Sequence, residues 1–125
     1  SVKLKAGAGI SISYDFPNNA VEIAAAALPG GFPTEVTTTT RNILAGDANG
    51  LTFLGDTSAG ALIINLEAAP AGNRTFRFKN AGNAGNDLTI GRNGLNIDLA
   101  GSDLVLGDLQ SVTLVYSSTL GWLIL

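Results

Sequence analysis

The chain has 125 residues, a formal net charge of −3, 46% apolar and 14% charged residues, and no cysteine, histidine or methionine. That length suits one domain with a real core. The missing residues exclude a disulfide framework, a thiolate or imidazole metal site, and any mechanism with a Cys or His nucleophile or base, and the small negative charge provides no field to attract nucleic acid or an anionic membrane. The charged share lies well below the roughly one quarter usual in globular domains, so much of the surface is expected to be neutral polar or covered in an oligomer. No apolar run is long enough to span a bilayer, and the N-terminus lacks a charged-then-apolar signal pattern. We therefore expect a soluble product used without secretion, with Ser1 as the small residue left after removal of an initiator Met.

Residues 1–14 read as two strand-like halves. Val2 and Leu4 alternate with Lys3 and Lys5, glycines interrupt at Gly7 and Gly9, and Ile10, Ile12 and Tyr14 alternate with Ser11 and Ser13. Asp15-Phe16-Pro17-Asn18-Asn19 is turn chemistry, because Pro fixes φ and Asn tolerates the left-handed region. Val21, Ile23 and Ala25 then resume the alternation, so residues 8–26 predict a hairpin with small side chains. The alanines would suit a helical turn in isolation, but the preceding alternation argues for strand.

Leu28-Pro29-Gly30-Gly31-Phe32-Pro33 is the clearest boundary, since it can continue neither a helix nor a central strand. Beyond it the sequence predicts a series of short strands. Residues 36–44 carry the β-favouring run Thr37-Thr38-Thr39-Thr40. Residues 46–50 turn the chain, 51–54 form a strand and 55–60 turn it again. Residues 61–66 are a nearly continuous apolar run, which predicts a strand buried on both faces. Phe76 and Phe78 alternate with Arg77 and Lys79. The pattern continues in Leu88 and Ile90, in Leu95, Ile97 and Leu99, and in Leu104 and Leu106. Residues 111–125 then predict a terminal antiparallel hairpin that covers Trp122. The resulting fold class is all-β, a β-sandwich or jelly-roll-like domain of short antiparallel strands with an extended N-terminal arm or hairpin. We divide it into an arm over 1–28, a linker over 29–33 and a module over 34–125. The expected core is Val36, Phe53, Ile63, Leu66, Phe76, Phe78, Leu88, Ile90, Ile97, Leu114 and Trp122.

Candidate sites are few. Asp47-Ala48-Asn49-Gly50 opens like a calcium loop, but residues 57–60 lack the closing carboxylate, so a plain turn is the better reading. Residues 82–88 are similar to a Gly-Asp calcium repeat that works only in tandem, and a single copy reads as a hairpin loop. Asp56, Glu67, Asp98, Asp103 and Asp108 would have to converge in pairs to serve as a glycosidase acid and base, whereas Asp beside Gly is mostly turn chemistry. Arg74, Arg77 and Lys79 lie opposite the phenylalanines, a solvated or subunit-facing side rather than a nucleic-acid platform. Trp122 is expected in the core rather than stacked on a sugar. No catalytic, metal or cofactor site is expected, and no enzyme.

The segments Leu62-Ile63-Ile64-Asn65-Leu66, Pro70 through Asn80, Leu88-Thr89-Ile90, Leu95-Asn96-Ile97-Asp98, and Gln110 through Tyr116 leading to Gly121-Trp122 together resemble a β-module of tailed-bacteriophage virion proteins. Such modules occur in tail-fibre tips and in head and tail appendages. Residues 4–23 are similar to the short hairpin that often precedes them. The resemblance covers about the last two thirds of the chain and implies a trimer. A short, low-charge, stand-alone trimer suits a capsid decoration or cement protein, made in the host cytoplasm and located on the capsid surface. Its partners would be two further copies and the major capsid protein, with no nucleic acid and no membrane. The arm, through Val2, Lys3, Leu4, Lys5, Ile10, Ile12 and Tyr14, would add a strand to a capsid-protein sheet. The alternative is a receptor-binding tip of a tail fibre that recognises host surface glycan, with residues 46–50 and 82–87 making the contacts.

Overall fold

The structure is a computed structural model that describes residues 10–15, 20–25 and 33–125. The chain divides into two units, Ser1–Phe32 and Pro33–Leu125. In the first, strand β1 (Ile10–Asp15) pairs antiparallel with β2 (Ala20–Ala25), Ile12 opposite Ile23 and Tyr14 opposite Val21.

The second unit is all-β, and its sheets are mixed. Strands β3 (Thr34–Thr37), β5 (Thr52–Gly55), β7 (Thr75–Asn80), β10 (Ser111–Ser117) and β11 (Gly121–Ile124) form one sheet in the order β11-β10-β7-β5-β3. Strands β4 (Arg41–Asn42), β6 (Leu62–Asn65), β8 (Leu88–Gly91) and β9 (Leu104–Leu106) form the other in that order. The expected purely antiparallel arrangement is not what forms. β3, β5 and β7 are parallel neighbours, and so are β4, β6 and β8. The chain coils, leaving one strand in each sheet on every pass, so equivalent strands of successive passes lie side by side in the same direction. Antiparallel pairing enters only at the far end, where β9 folds back on β8 and β10 on β7. The terminal hairpin forms as expected, Tyr116 opposite Trp122 and Ser117 opposite Gly121.

The coil places like residues on like. Phe53 pairs with Phe78, Leu62 with Leu88 and Ile64 with Ile90, and all six side chains face inward into one core. Phe53 and Phe78 stack with centroids 5.4 Å apart, and Trp122 lies 5.9 Å from Phe76 and 5.4 Å from Tyr116. Phe53, Leu66, Phe76, Phe78, Leu88, Ile90, Ile97, Leu114 and Trp122 are buried as expected.

Four expectations need correction. Val36 and Ile63 are 65% and 44% exposed, because each is out of phase with inward neighbours, Val36 with Thr37 and Ile63 with Leu62 and Ile64. Period-two alternation cannot bury both. For the same reason residues 61–66 alternate in burial instead of being covered on both faces. Residues 36–44 do not form one strand, since the chain leaves β3 at Thr37 and crosses to the other sheet at Arg41. Arg74 is buried rather than solvated.

Candidate functional site

The first pass of the coil differs chemically from the next two. Glu35 occupies the position that Phe53 and Phe78 hold in later passes, and Arg41 the position of Ile64 and Ile90. Arg41 Nε donates to Glu35 at 2.8 Å, its Nη2 donates to Asp47 at 2.8 Å, and the guanidinium lies 5.4 Å from the Phe53 ring centroid. Both carboxylates accept two bonds each from Arg41. An ion cluster thus stands at this end of the core in place of the apolar rungs of the later passes. The paired Asp47 carboxyl is held below its ordinary pKa, chiefly by the hydrogen bonds from Arg41, and the Arg41 guanidinium is pushed further up, chiefly by Asp47. This is the terminal polar rung that a stacked-repeat architecture requires.

A second ion pair lies deeper. Arg74 contacts Glu67 at 2.7 Å, donates to the carbonyl oxygens of Asp47 and Leu44, and covers Phe76 with its guanidinium carbon 4.8 Å from the ring centroid. A third polar node is Asn80, fully buried. Its Oδ1 accepts from the Thr57 hydroxyl at 2.6 Å and from Gly82 N, and its Nδ2 donates to the carbonyls of Asn86 and Leu106. One amide therefore ties three segments, the loop at Thr57, the β7–β8 connection and the end of β9, through four hydrogen bonds.

The sequence-predicted candidates fall into this scaffold. Asp47 accepts from Leu44 N, and Asn49 bridges to Thr75 N and Asn73 O, so residues 46–50 form a turn tied to the start of β7. In residues 82–88, Gly85 N donates to Asp108 and Asn86 Nδ2 donates to Thr57 O. Asp56, Asp98 and Asp103 each accept a backbone N–H, from Ser58, Ile124 and Arg92 respectively. Glu67 is spent on Arg74. The five carboxylates therefore serve as separate loop clamps. Among the described residues no group of three or more His, Cys, Asp or Glu could hold a metal ion. Arg77 and Lys79 lie on the outer side of β7, and Lys79 Nζ donates to Leu109 O at 2.7 Å. Trp122 is fully buried, and its Nε1 lacks an acceptor. Of the arm residues, Ile10, Ile12 and Tyr14 lie on β1, while Val2, Lys3, Leu4 and Lys5 lie outside the described residues.

The two outer sheet faces are also available for an external contact. On the five-stranded sheet Val36 and Leu54 are register partners, and the Leu54 row continues to Lys79 and Ser111. On the other sheet Ile63, Thr89 and Val105 form a row across three strands, with Ile63 and Val105 exposed. An open hollow of about 600 Å³ is lined by Asn42, Leu44, Asn65, Glu67, Ala69 and Asn93 among others. The Asn80 node is not legible in the sequence, because Thr57 and Leu106 lie 23 and 26 residues from Asn80. Glu35 and Arg41 did carry a signal, being charges at inward-phase positions. No helix among the described residues is long and apolar enough to cross a membrane. Comparison with protein-family models and with curated proteins gives no match.

Proposed function

We propose that the chain is a structural protein of a tailed-phage virion, a homotrimeric capsid decoration protein whose residues 1–28 bind the major capsid protein while residues 34–125 spread over the shell. In this reading the two layers close as a sandwich-like module and the N-terminal hairpin is the arm. The observation that carries the proposal is where the second unit spends its chemistry. Its ionic and amide groups clamp its own loops, and what it offers outward is main-chain edge and rows of apolar and hydroxyl side chains such as Val36 with Leu54 and Ile63 with Val105. Such surfaces suit extended, area-driven contact with other proteins rather than turnover of a small substrate. The resemblance to phage virion modules gives the context.

The polar first rung makes a direct test possible, because a coil sealed by Glu35, Arg41 and Asp47 does not need the arm to complete its core. A chain beginning at Phe32 is expected to fold with the circular dichroism of the full chain and to lose co-sedimentation with undecorated capsids. Retention of capsid binding, or binding of the truncated chain to host cells or their polysaccharide instead, contradicts the proposal.

A further inference from the structure

Two Asn-Gly dipeptides lie in the second unit, Asn49-Gly50 and Asn93-Gly94, and the fold holds them differently. Asn93 is tied by one side-chain bond, Nδ2 to Leu66 O at 3.0 Å, whereas at Asn49 the following amide is tied as well. At the first, Asn49 Oδ1 accepts from Thr75 N at 2.7 Å, and Gly50 N donates to Thr75 O at 2.8 Å. The side-chain carbonyl and the following amide nitrogen are both fixed to the same residue of β7. At the second, Asn93 and Gly94 have φ of 51° and 88°, and Leu95 N donates to Arg92 O at 3.2 Å. Positive φ at both central residues with that closing bond is a type I′ turn. Both residues are exposed, and the closing bond does not use the Gly94 N–H.

The type matters because of what lies one peptide flip away. Rotating the Asn93-Gly94 peptide converts type I′ to type II′, in which the first central residue has ψ near about −120°. At that angle the backbone nitrogen of the next residue approaches the side-chain Cγ of the asparagine. The flip leaves Gly94 unstrained but puts Asn93 at the position where type II′ turns favour glycine, so the attacking geometry is a minor conformer one peptide rotation away from the resting turn. At Asn49 the corresponding motion must first break the Gly50 and Thr75 bonds.

We propose that Asn93 is a site of spontaneous deamidation and backbone isomerisation in the folded protein, and that Asn49 is protected. The Gly94 nitrogen loses its proton to solvent base and attacks Asn93 Cγ. The C–N bond of the side-chain amide then breaks, and the NH₂ group leaves as ammonia after taking up a proton. The resulting five-membered imide is opened by water at either carbonyl, giving aspartate or isoaspartate, so the net change is one water consumed and one ammonia released, with no oxidant or reductant. The new carboxyl group loses the Asn93 Nδ2 bond to Leu66 O, now 3.0 Å, and places a negative charge on the hollow that Glu67 also lines. A virion protein that persists for long periods would accumulate this change, turning the hollow more acidic with age.

The test is incubation of the full-length folded protein at mildly alkaline pH and 37 °C, followed by peptide mapping by mass spectrometry with separation of the isoaspartyl peptide. A parallel sample is held in urea. In the folded sample the Asn93 peptide is expected to gain the mass of an amide-to-acid exchange roughly tenfold faster than the Asn49 peptide, the difference that bonds like those at Asn49 can impose. In urea the two are expected to react at similar rates. Asn93→Gln is expected to remove the product from the folded sample, and native circular dichroism of that variant confirms its fold. Equal rates in the folded sample, faster reaction at Asn49, or no reaction at Asn93 overturns the proposal.

Discussion

At Arg74 and Glu67 a pair of opposite charges is almost fully enclosed, with side chains 10% and 6% exposed. Removing one partner leaves the other charged, desolvated and unpaired, so Arg74→Ala or Glu67→Ala should cost about 3–5 kcal/mol, measured by urea denaturation. Arg77 lies three residues further on, on the outer side of β7, and Arg77→Ala should cost far less, while Phe76→Ala between them should cost about 3–5 kcal/mol. Asn80→Ala strands two carbonyls, a hydroxyl and an amide N–H at once, and should cost about 3 kcal/mol or more. A loss well under that value would mean the node is not closed as described. Asp47 supplies a pH dependence whose sign follows from its lowered pKa. Its contribution is present above the unfolded carboxyl value and fades as pH falls through the lower folded value, so stability should decline below about pH 4. Asp47→Asn should flatten that decline without altering stability between neutral pH and pH 9 by a comparable slope.

Elements made of alternating residues were legible in the sequence to the extent that alternation has a single reading. β7 and β10 show it plainly, with Phe76, Phe78 and Leu114 inward, and the terminal hairpin followed from Ser117 through Gly121. Strand direction was not legible, because a run such as Leu62 to Asn65 looks the same in a parallel or an antiparallel pair. A faint internal repeat was present: Phe53 and Phe78 are 25 residues apart and Leu62 and Leu88 are 26 apart, each pair in register. That spacing falls in the range of coiled repeat architectures. The repeat is faint because the flanking residues differ and because the first pass substitutes Glu35 and Arg41 at the matching positions. The parallel stacking has a cost at Gly91, which pairs with Asn65 and whose added Cβ would meet the Asn65 side-chain oxygen. Asn65 itself donates to Asn42 at 2.8 Å, linking the first two passes. Gly91→Ala should therefore destabilise by about 1–3 kcal/mol, whereas Gly46→Ala, which meets nothing, should not.

At the scale of the whole molecule, the outer rows and the edge strand β3, paired on one side only among the described residues, fit a protein that works by association. A homotrimer is the proposed form. Sedimentation equilibrium at micromolar concentration should return three times the chain mass, and repetition on protein detached from virions covers the case of a trimer that assembles only on the shell. A monomer in both preparations contradicts it. Decoration of a shell also fixes a stoichiometry, since a symmetric oligomer placed on repeated capsomers must be present in proportion to them. The most direct measurement is therefore the number of copies per virion, obtained by quantitative mass spectrometry against the major capsid protein. A decoration protein gives on the order of hundreds of copies in fixed ratio to the capsid protein. A count of about a few tens or fewer, as for an appendage at one vertex, contradicts the assignment to the capsid surface.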